Sequence, residues 1–388
     1  MKKIFEVIVL LLCFCSFLNL LKVFGLGSWG DFNIYYHSAT AALHNSNPYL
    51  LKGAFIGGYI YPPLCLLLFY PFVWIPLILA GQIWTFVSLA CLLIAIWILV
   101  KQYNATTNKL LLGVIWILVF NFFPVKFTLG MGQLNNIILL LVVFAMYAIK
   151  KKKDGWAGTV FGLALTLKYT PIYILPYLLV RKKWRTIIFL IGTICILFTA
   201  GFIIVMPTIS IYYFQHVIFS LGFSSSWTDY YNQALSGFLI RDFSGFTNTQ
   251  ITTTRYVLSL LMLAASLYIV SKRKSPAVKN TDLEISIFIT LNLLLNTFSE
   301  QHHFVLLLIP LLVTYFIIKQ NNLSWQYYGI LAICYLLAAL NMKTPSAYPT
   351  ILQSHVFYGT LVLWLFDLYL LHKFPNKKKQ SISSQERS

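Results

Sequence analysis

The chain has 388 residues, of which 59% are hydrophobic and 10% charged, with a positive mean hydropathy. A soluble protein of this length needs far more charged side chains to coat its surface. Its formal net charge of +19 is gathered in short blocks at the edges of apolar runs. No aromatic-interleaved basic domain large enough to track a phosphate backbone is present, so nucleic acid is excluded as a partner.

A membrane-spanning helix needs about 20 mostly apolar residues, and runs of that kind, such as IFEVIVLLLCFCSFLNLLKVF (4–24), recur along nearly the whole chain. The fold class is therefore an all-α polytopic membrane protein. Short Lys/Arg-rich loops mark the cytoplasmic side. Four such blocks occur, KKKK (150–153), RKKWR (181–185), SKRK (271–274) and NKKK (376–379). They are read as topology determinants, with some attraction to anionic headgroups.

With the blocks inside, the amino terminus is cytoplasmic and a helix over 4–24 carries the chain out. Its MKK start resembles a signal peptide, but no A-x-A-like cleavage site follows, so it is read as a retained first helix. Residues 25–62 form a first external loop containing Asp31, the only acidic residue between Glu6 and Asp154. An odd number of crossings must follow before Lys101. The pattern predicts a helix over 82–100, while PLCLLLFYPFVWIP (63–76), short and proline-rich, is read as a partly embedded or interfacial segment. Helices over 110–124 and 133–149 lead to the first block. Residues 156–180, about 25 in number, must leave and return, which is too short for two full spans of about 20 residues each. Two short helices meeting at Lys168–Pro171 are expected there, at a cavity, because non-helical backbone at membrane depth is tolerated only where protein or water satisfies it.

Further helices are predicted over 187–206, 255–271, 284–299, 303–319, 325–341 and 351–371, for about 11 to 13 helical segments in all. Residues 207–254 form a second large external loop. Residues 1–372 are read as a single membrane domain, and 373–388 as a basic cytoplasmic tail, disordered by composition. Cys13, Cys15, Cys65, Cys91, Cys195 and Cys334 lie in apolar stretches without a CxxC pair, so neither a disulfide frame nor a metal site is expected. Sequons at Asn104 and Asn322 fall near or on the inner side and are read as chance matches.

The unusual polar groups gather on one side. Outside are Asp31, His37, NPYL (47–50), YIYPPL (59–64), GMGQLNN (130–136), Lys168, YYNQALSGFLIRD (230–242) and SEQHH (299–303), whereas the inner loops offer mainly Lys and Arg. A binding or active site should therefore face outward. A transporter would more naturally place polar residues near the midplane on discontinuous helices.

GDFNIYYHSATAALHNSNPYL followed by YIYPPLCLLLFYPF resembles the opening of the family 87 glycosyltransferases, polytopic alpha-mannosyltransferases of the GT-C superfamily that use polyprenyl-phosphate-mannose. GQLNNIILLL (132–141), GLALTLKYTPIYILPYLLVRKKWR (162–185) and YNQALSGFLIR (231–241) are similar to later stretches of that family. SEQHHFVLLLIP (299–310) resembles its late motif, in which an aromatic often precedes the paired histidines; here Glu300 and Gln301 stand in that neighbourhood. The resemblance implies a GT-C-type bundle with outward-facing catalytic loops. It implies inverting transfer of a hexose, mannose above others, from a polyprenyl-phosphate donor to a lipid-linked or envelope glycan. The setting implied is the outer face of a plasma (inner) membrane, with both termini cytoplasmic. The lipid-phosphate sugar is then a co-substrate, no cofactor or metal is expected, and the partners are the donor, the acceptor and membrane lipids.

In this superfamily a carboxylate of the first external loop removes the acceptor proton, and Asp31 matches that position. The residues alone leave open a helix-capping or interfacial aspartate. Leaving-group charge calls for cations or hydrogen-bond donors. The candidates are His302, His303, Lys168 and Arg241, against an interface histidine pair, a lysine snorkelling to headgroups and a surface pair of Arg241 with Asp242. Asn232 and Gln233 either bind sugar hydroxyls or cap a loop helix. Gln133 and Asn135 either face the substrate or satisfy a helix start. Tyr35, Tyr36 and Tyr61 (with Tyr59) either contact sugar or lipid or belong to an interface belt. Two rivals from other classes remain: a transporter or flippase for a lipid-linked sugar, and a non-catalytic partner in envelope glycan assembly.

Overall fold

The computed structural model describes residues 2–25, 29–51, 58–218, 230–273 and 278–374. Parts of the two expected external loops (26–28, 52–57 and 219–229) and the tail 375–388 lie outside the described residues. Among the described residues the chain is helical and has no strand; one isolated bridge pairs Asn232 with Glu300.

The chain enters through α1 (Lys2–Leu21), followed by α2 (Gly30–Leu43). Thus the first loop of the sequence reading contains a helix of 14 residues, opened by Gly30 and closed where His44 and a left-handed Asn45 end the hydrogen-bonding run. The proline-rich 63–76 stretch forms short 3-10 turns, Pro63–Leu68 and Tyr70–Phe72, as expected of a chain that lacks N–H groups at Pro62, Pro63 and Pro71. One long helix, α3 (Leu77–Lys101), therefore remains in that interval, which resolves the crossing number. Next come α4 (Lys109–Asn121), capped by the Asn108 side chain, and α5 (Phe123–Met131), bent 54° from it at Phe122 and Pro124. The bend follows from the proline, which is tolerated only in a first helical turn.

Then α6 (Asn135–Lys150), α7 (Asp154–Leu167), α8 (Ile174–Val180) and α9 (Trp184–Ile204) follow. The two short helices expected over 156–180 are α7 and α8, separated at Lys168–Tyr173. Beyond them lie α10 (Pro207–Tyr212), α11 (Leu235–Asp242), α12 (Asn248–Ser271), α13 (Val278–Leu295), α14 (Leu308–Gln320, entered by a 3-10 turn from Gln301), α15 (Trp325–Ala339) and α16 (His355–Lys373). Among the described residues six helices are long and apolar enough to cross a bilayer, seven if α4 and α5 count as one bent span. The protein is an integral membrane protein. Exposed apolar side chains such as Ile196, Ile203 and Leu260 face what lipid would cover.

Close packing of α7 on α9 is built on Gly158 and Gly162, four residues apart. A Cβ at Gly158 would lie 2.2 Å from the Thr186 carbonyl oxygen, and one at Gly162 2.7 Å from that of Leu190. Small residues at this spacing let two membrane helices touch backbone to backbone. The helices alternate in direction, so Lys101, Lys150–Lys153, Arg181–Lys183, Lys272, Lys319 and Lys373 end up at one end of the bundle. Two buried ion pairs tie that end together, Lys150 with Asp282 and Arg181 with Glu284, with Tyr103 also donating to Asp282 at 2.6 Å. Both acids sit in the second turn of α13. The opposite end carries the site.

Candidate active site

A cavity of about 200 Å³ opens at the end of the bundle away from the basic blocks. Its wall includes Asp31, Tyr35, Tyr61, Gln133, Lys168, Tyr169, Thr170, Asn296, Phe298, Glu300, His302 and His303. Residues separated by up to 272 positions in sequence are gathered here by four breaks in helical structure.

The first break is the start of α2. Asp31 lies in its first turn, with Trp29 as N-cap, so the carboxylate is held next to the partial positive charge of a helix N-terminus. It is not the capping residue. Gly30 admits the Met131 methyl group, which would lie 2.9 Å from any Cβ there, and Trp29 covers Gly81 of α3.

The second break is Gly132, whose φ of +70° ends α5. A side chain there would meet Phe32 at 2.6 Å, and its carbonyl accepts from Trp84 Nε1 at 2.7 Å. This turn delivers Gln133 into the cavity wall. Its Oε1 accepts from Tyr35 Oη (3.1 Å), Tyr61 Oη (3.1 Å) and Lys168 Nζ (3.2 Å).

The third break is the α7–α8 turn. Lys168, 5% exposed, donates to Asn135 Oδ1 at 2.8 Å and lies over the Tyr61 ring. An ammonium so placed is costly unless neighbouring groups share its charge; here two amide oxygens, a π face and the carboxylates of Asp31 and Glu300 do so.

The fourth break is the segment 296–303. Asn232 Oδ1 accepts from Ser299 N at 3.2 Å, Gln233 N donates to Ser299 O at 2.8 Å, and Ser236 Oγ donates to Thr297 O at 2.5 Å. The His302 carbonyl accepts from Thr128 Oγ1 (2.9 Å) and Asn135 Nδ2 (3.1 Å). His303 Nδ1 accepts the Glu300 backbone N–H at 2.9 Å, so the neutral ring keeps its proton on Nε2. His302 Nδ1 lies 3.0 Å from Glu300 Oε2, an ion-pair distance.

Burial raises the Asp31 carboxyl above the usual aspartate range and the Glu300 charge adds to it, against the pull of His302, Gln133 and Lys168. The same burial lowers Lys168 to about 7, although both carboxylates oppose it. Burial also acts to raise Glu300, but His302 and Lys168 outweigh it and hold that carboxyl below its ordinary value. Burial thus pushes the Asp31 carboxyl and the Lys168 ammonium toward their neutral forms in one space, while Glu300 is held toward its anion.

Of the residues singled out in the sequence, Asp31, Lys168, Gln133, His302, His303, Tyr35 and Tyr61 line the cavity together. Asn135 stands behind them, joining Lys168 to the His302 backbone. Tyr36 points elsewhere, its hydroxyl donating to Ile75 O at 3.0 Å. Asn232, Gln233 and Arg241 do not line the cavity. Arg241 Nη1 donates to Asn232 O at 2.6 Å and Nη2 to Ser354 Oγ at 3.0 Å. Gln233 Nε2 donates to Tyr230 O and Gln353 O. The three form a brace behind the segment that presents Glu300 and the histidines. Gly237 makes the brace possible, since a Cβ there would lie 2.1 Å from Asn232 O. Glu300 itself was not among the site candidates; its signal was an acid two residues before a histidine pair in a chain with 10 acidic residues.

Residues 59–295 match the description of glycosyltransferase family 87. The chain belongs to that family. The family 87 match contains Tyr61, Gln133, Asn135 and Lys168, and it begins after Asp31 and stops before Glu300. Similar characterised proteins include the polyprenol-phosphate-mannose-dependent alpha-(1-2)-phosphatidylinositol mannoside mannosyltransferase of Mycolicibacterium smegmatis, 24% identical over 69% of this chain and 64% of that protein. The protein of the same description from Mycobacterium tuberculosis is 26% identical over 66% of this chain and 61% of its own length. An alpha-(1->3)-arabinofuranosyltransferase of Mycobacterium tuberculosis is 28% identical over 34% of this chain and 31% of its own length. The matched stretch spans less than two thirds of each of these relatives.

Proposed function

We propose that this family 87 protein is an inverting glycosyltransferase that moves a hexose, mannose above others, from a polyprenyl-phosphate donor to a lipid-linked or envelope glycan on the outer face of the plasma membrane. The observation that carries this reading is the placement of Asp31, Lys168 and His302 in the wall of one cavity. Asp31 accepts the proton of the acceptor hydroxyl. That oxygen forms its bond to the anomeric carbon from one face as the carbon–oxygen bond to phosphate breaks on the other. The electron pair of the broken bond stays with the polyprenyl phosphate. Charge growing on the phosphate is met by Lys168 and the histidine pair, while the sugar ring passes through an oxocarbenium-like state of the kind known from glycoside hydrolysis. Gln133 and Tyr61 supply hydrogen bonds to sugar hydroxyls. The basic ends of the helices support an outward-facing site, because Lys/Arg-rich loops remain cytoplasmic.

The test uses the purified full chain in nanodiscs, with labelled polyprenyl-phosphate-mannose and a lipid and glycan extract as acceptor. Wild type transfers label to an extract component. Asp31→Asn, which keeps the shape but accepts no proton, lowers transfer by about 10²- to 10⁴-fold while binding the donor. Equal transfer by both removes Asp31 from the chemistry. The similarity to an arabinofuranosyltransferase favours a second donor reading, and a parallel assay with polyprenyl-phosphate-arabinofuranose separates the two.

A further inference from the structure

The histidine pair is not symmetric, and the difference lies in what each Nδ1 faces. In His303 that nitrogen accepts a backbone N–H, which commits the ring to a single proton on Nε2. In His302 it faces a carboxylate oxygen 3.0 Å away. His302 is 1% exposed, and neither ring nitrogen has a hydrogen-bond partner among the described residues. The ring is wedged between Phe127 (centroids 5.3 Å apart) and His303 (4.4 Å), so it has little room to turn. Its backbone is fixed from two sides by Thr128 and Asn135. Glu300 is fixed as well, through the bridge to Asn232 and the Glu300 O to His303 N hydrogen bond of 2.8 Å.

We propose that Glu300 is a positioning residue for the leaving phosphate: it holds His302 with Nδ1–H toward its carboxylate and carries the countercharge for a second proton, so that Nε2–H meets the phosphate beside Lys168. This rests on the transferase reading above and goes beyond it in assigning a task to a carboxylate that would otherwise repel a phosphate from the same cavity. Carboxylate-backed imidazoles of this kind are fixed in tautomer and orientation by the second group. The charged groups facing His302 are Asp31 from α2, Lys168 from the α7–α8 turn, and Glu300 from its own segment; Phe127 of α5 and Asn135 of α6 are neutral. With Glu300 present, the cavity can hold a phosphate between two cations without leaving either one unbalanced when the phosphate departs.

The experiment measures binding of a polyprenyl phosphate without sugar to the full chain in nanodiscs between pH 5.5 and 8.5. Glu300→Gln weakens binding about tenfold, as loss of one charged partner 3.0 Å from the ring would. Glu300→Asp restores most of it. His302→Asn weakens binding by a similar factor, and adding Glu300→Gln to that variant changes it less than twofold. Equal losses from Glu300→Gln in the two backgrounds, or tighter binding by Glu300→Gln, overturn the proposal. Coupled variants in a protein that transfers no sugar would defeat the transferase reading and leave the Glu300 assignment standing. Sugar transfer with uncoupled variants would do the reverse. No binding of the phosphate by wild type overturns both.

Discussion

Burial draws the proton affinities of Asp31 and Lys168 together, against the attraction between their two charges. The chemistry proposed here needs Asp31 without its proton and Lys168 with one. Transfer should therefore climb as pH rises through the raised Asp31 value and decline above about 7, where Lys168 gives up its proton. Lys168→Arg keeps its charge over the whole range, so its descending limb should move up by more than about one pH unit even as the peak rate falls; a pH profile of initial rates checks this. Stability carries the opposite sign for Asp31. Its folded-state value lies above the unfolded one, so ionising it costs stability as pH rises through the folded value. Asp31→Asn should raise the melting temperature in detergent at pH 8 and leave it unchanged near pH 4, which a melting series measures directly. Asp31, Lys168 and the histidines, which the structure places in the cavity wall, stood out in the sequence because each interrupts apolar sequence at a helix end. Arg241, Asn232 and Gln233 share that signal, yet they brace backbone: one-dimensional spacing does not tell a side chain turned into a cavity from one turned behind it.

Helix ends, more than helix bodies, shape this protein. Most long apolar runs could be read within a few residues of where they occur. α2 was folded into a loop because its stretch, GDFNIYYHSATAAL, lacks the length and hydropathy of a span. The kink between α4 and α5 was missed because a single proline after three aromatic or polar residues looks like a terminus. The α7–α8 turn was legible from arithmetic alone: too few residues separate two basic blocks for two full crossings. Glycines that permit contact were not legible, since their purpose depends on a partner helix far along the chain. Gly162→Leu should separate α7 from α9, with a cost of about 1–3 kcal/mol from overpacking, read as a lower melting temperature. Gly192→Leu, with open space around its Cβ, should be tolerated.

Across the whole molecule the charges are sorted by end. Two acids at the basic end, Asp282 and Glu284, sit in buried pairs: the Arg181 and Glu284 side chains are 8% and 0% exposed. Removing one member of such a pair strands the other, at about 3–5 kcal/mol. Glu284→Ala should therefore unfold at clearly lower denaturant than wild type, whereas replacing Glu284 and Arg181 together by methionine should recover much of the loss. Composition alone placed the chain in the membrane, and the basic blocks oriented the reading, but neither could reveal that α13 carries the acids which clamp two of those blocks. At the other end, Gln133 Oε1 is approached by three donors, and an amide oxygen has two lone pairs. One of those three protons is always left over. On the transfer proposed above, a sugar hydroxyl would accept that third hydrogen bond without displacing the other two.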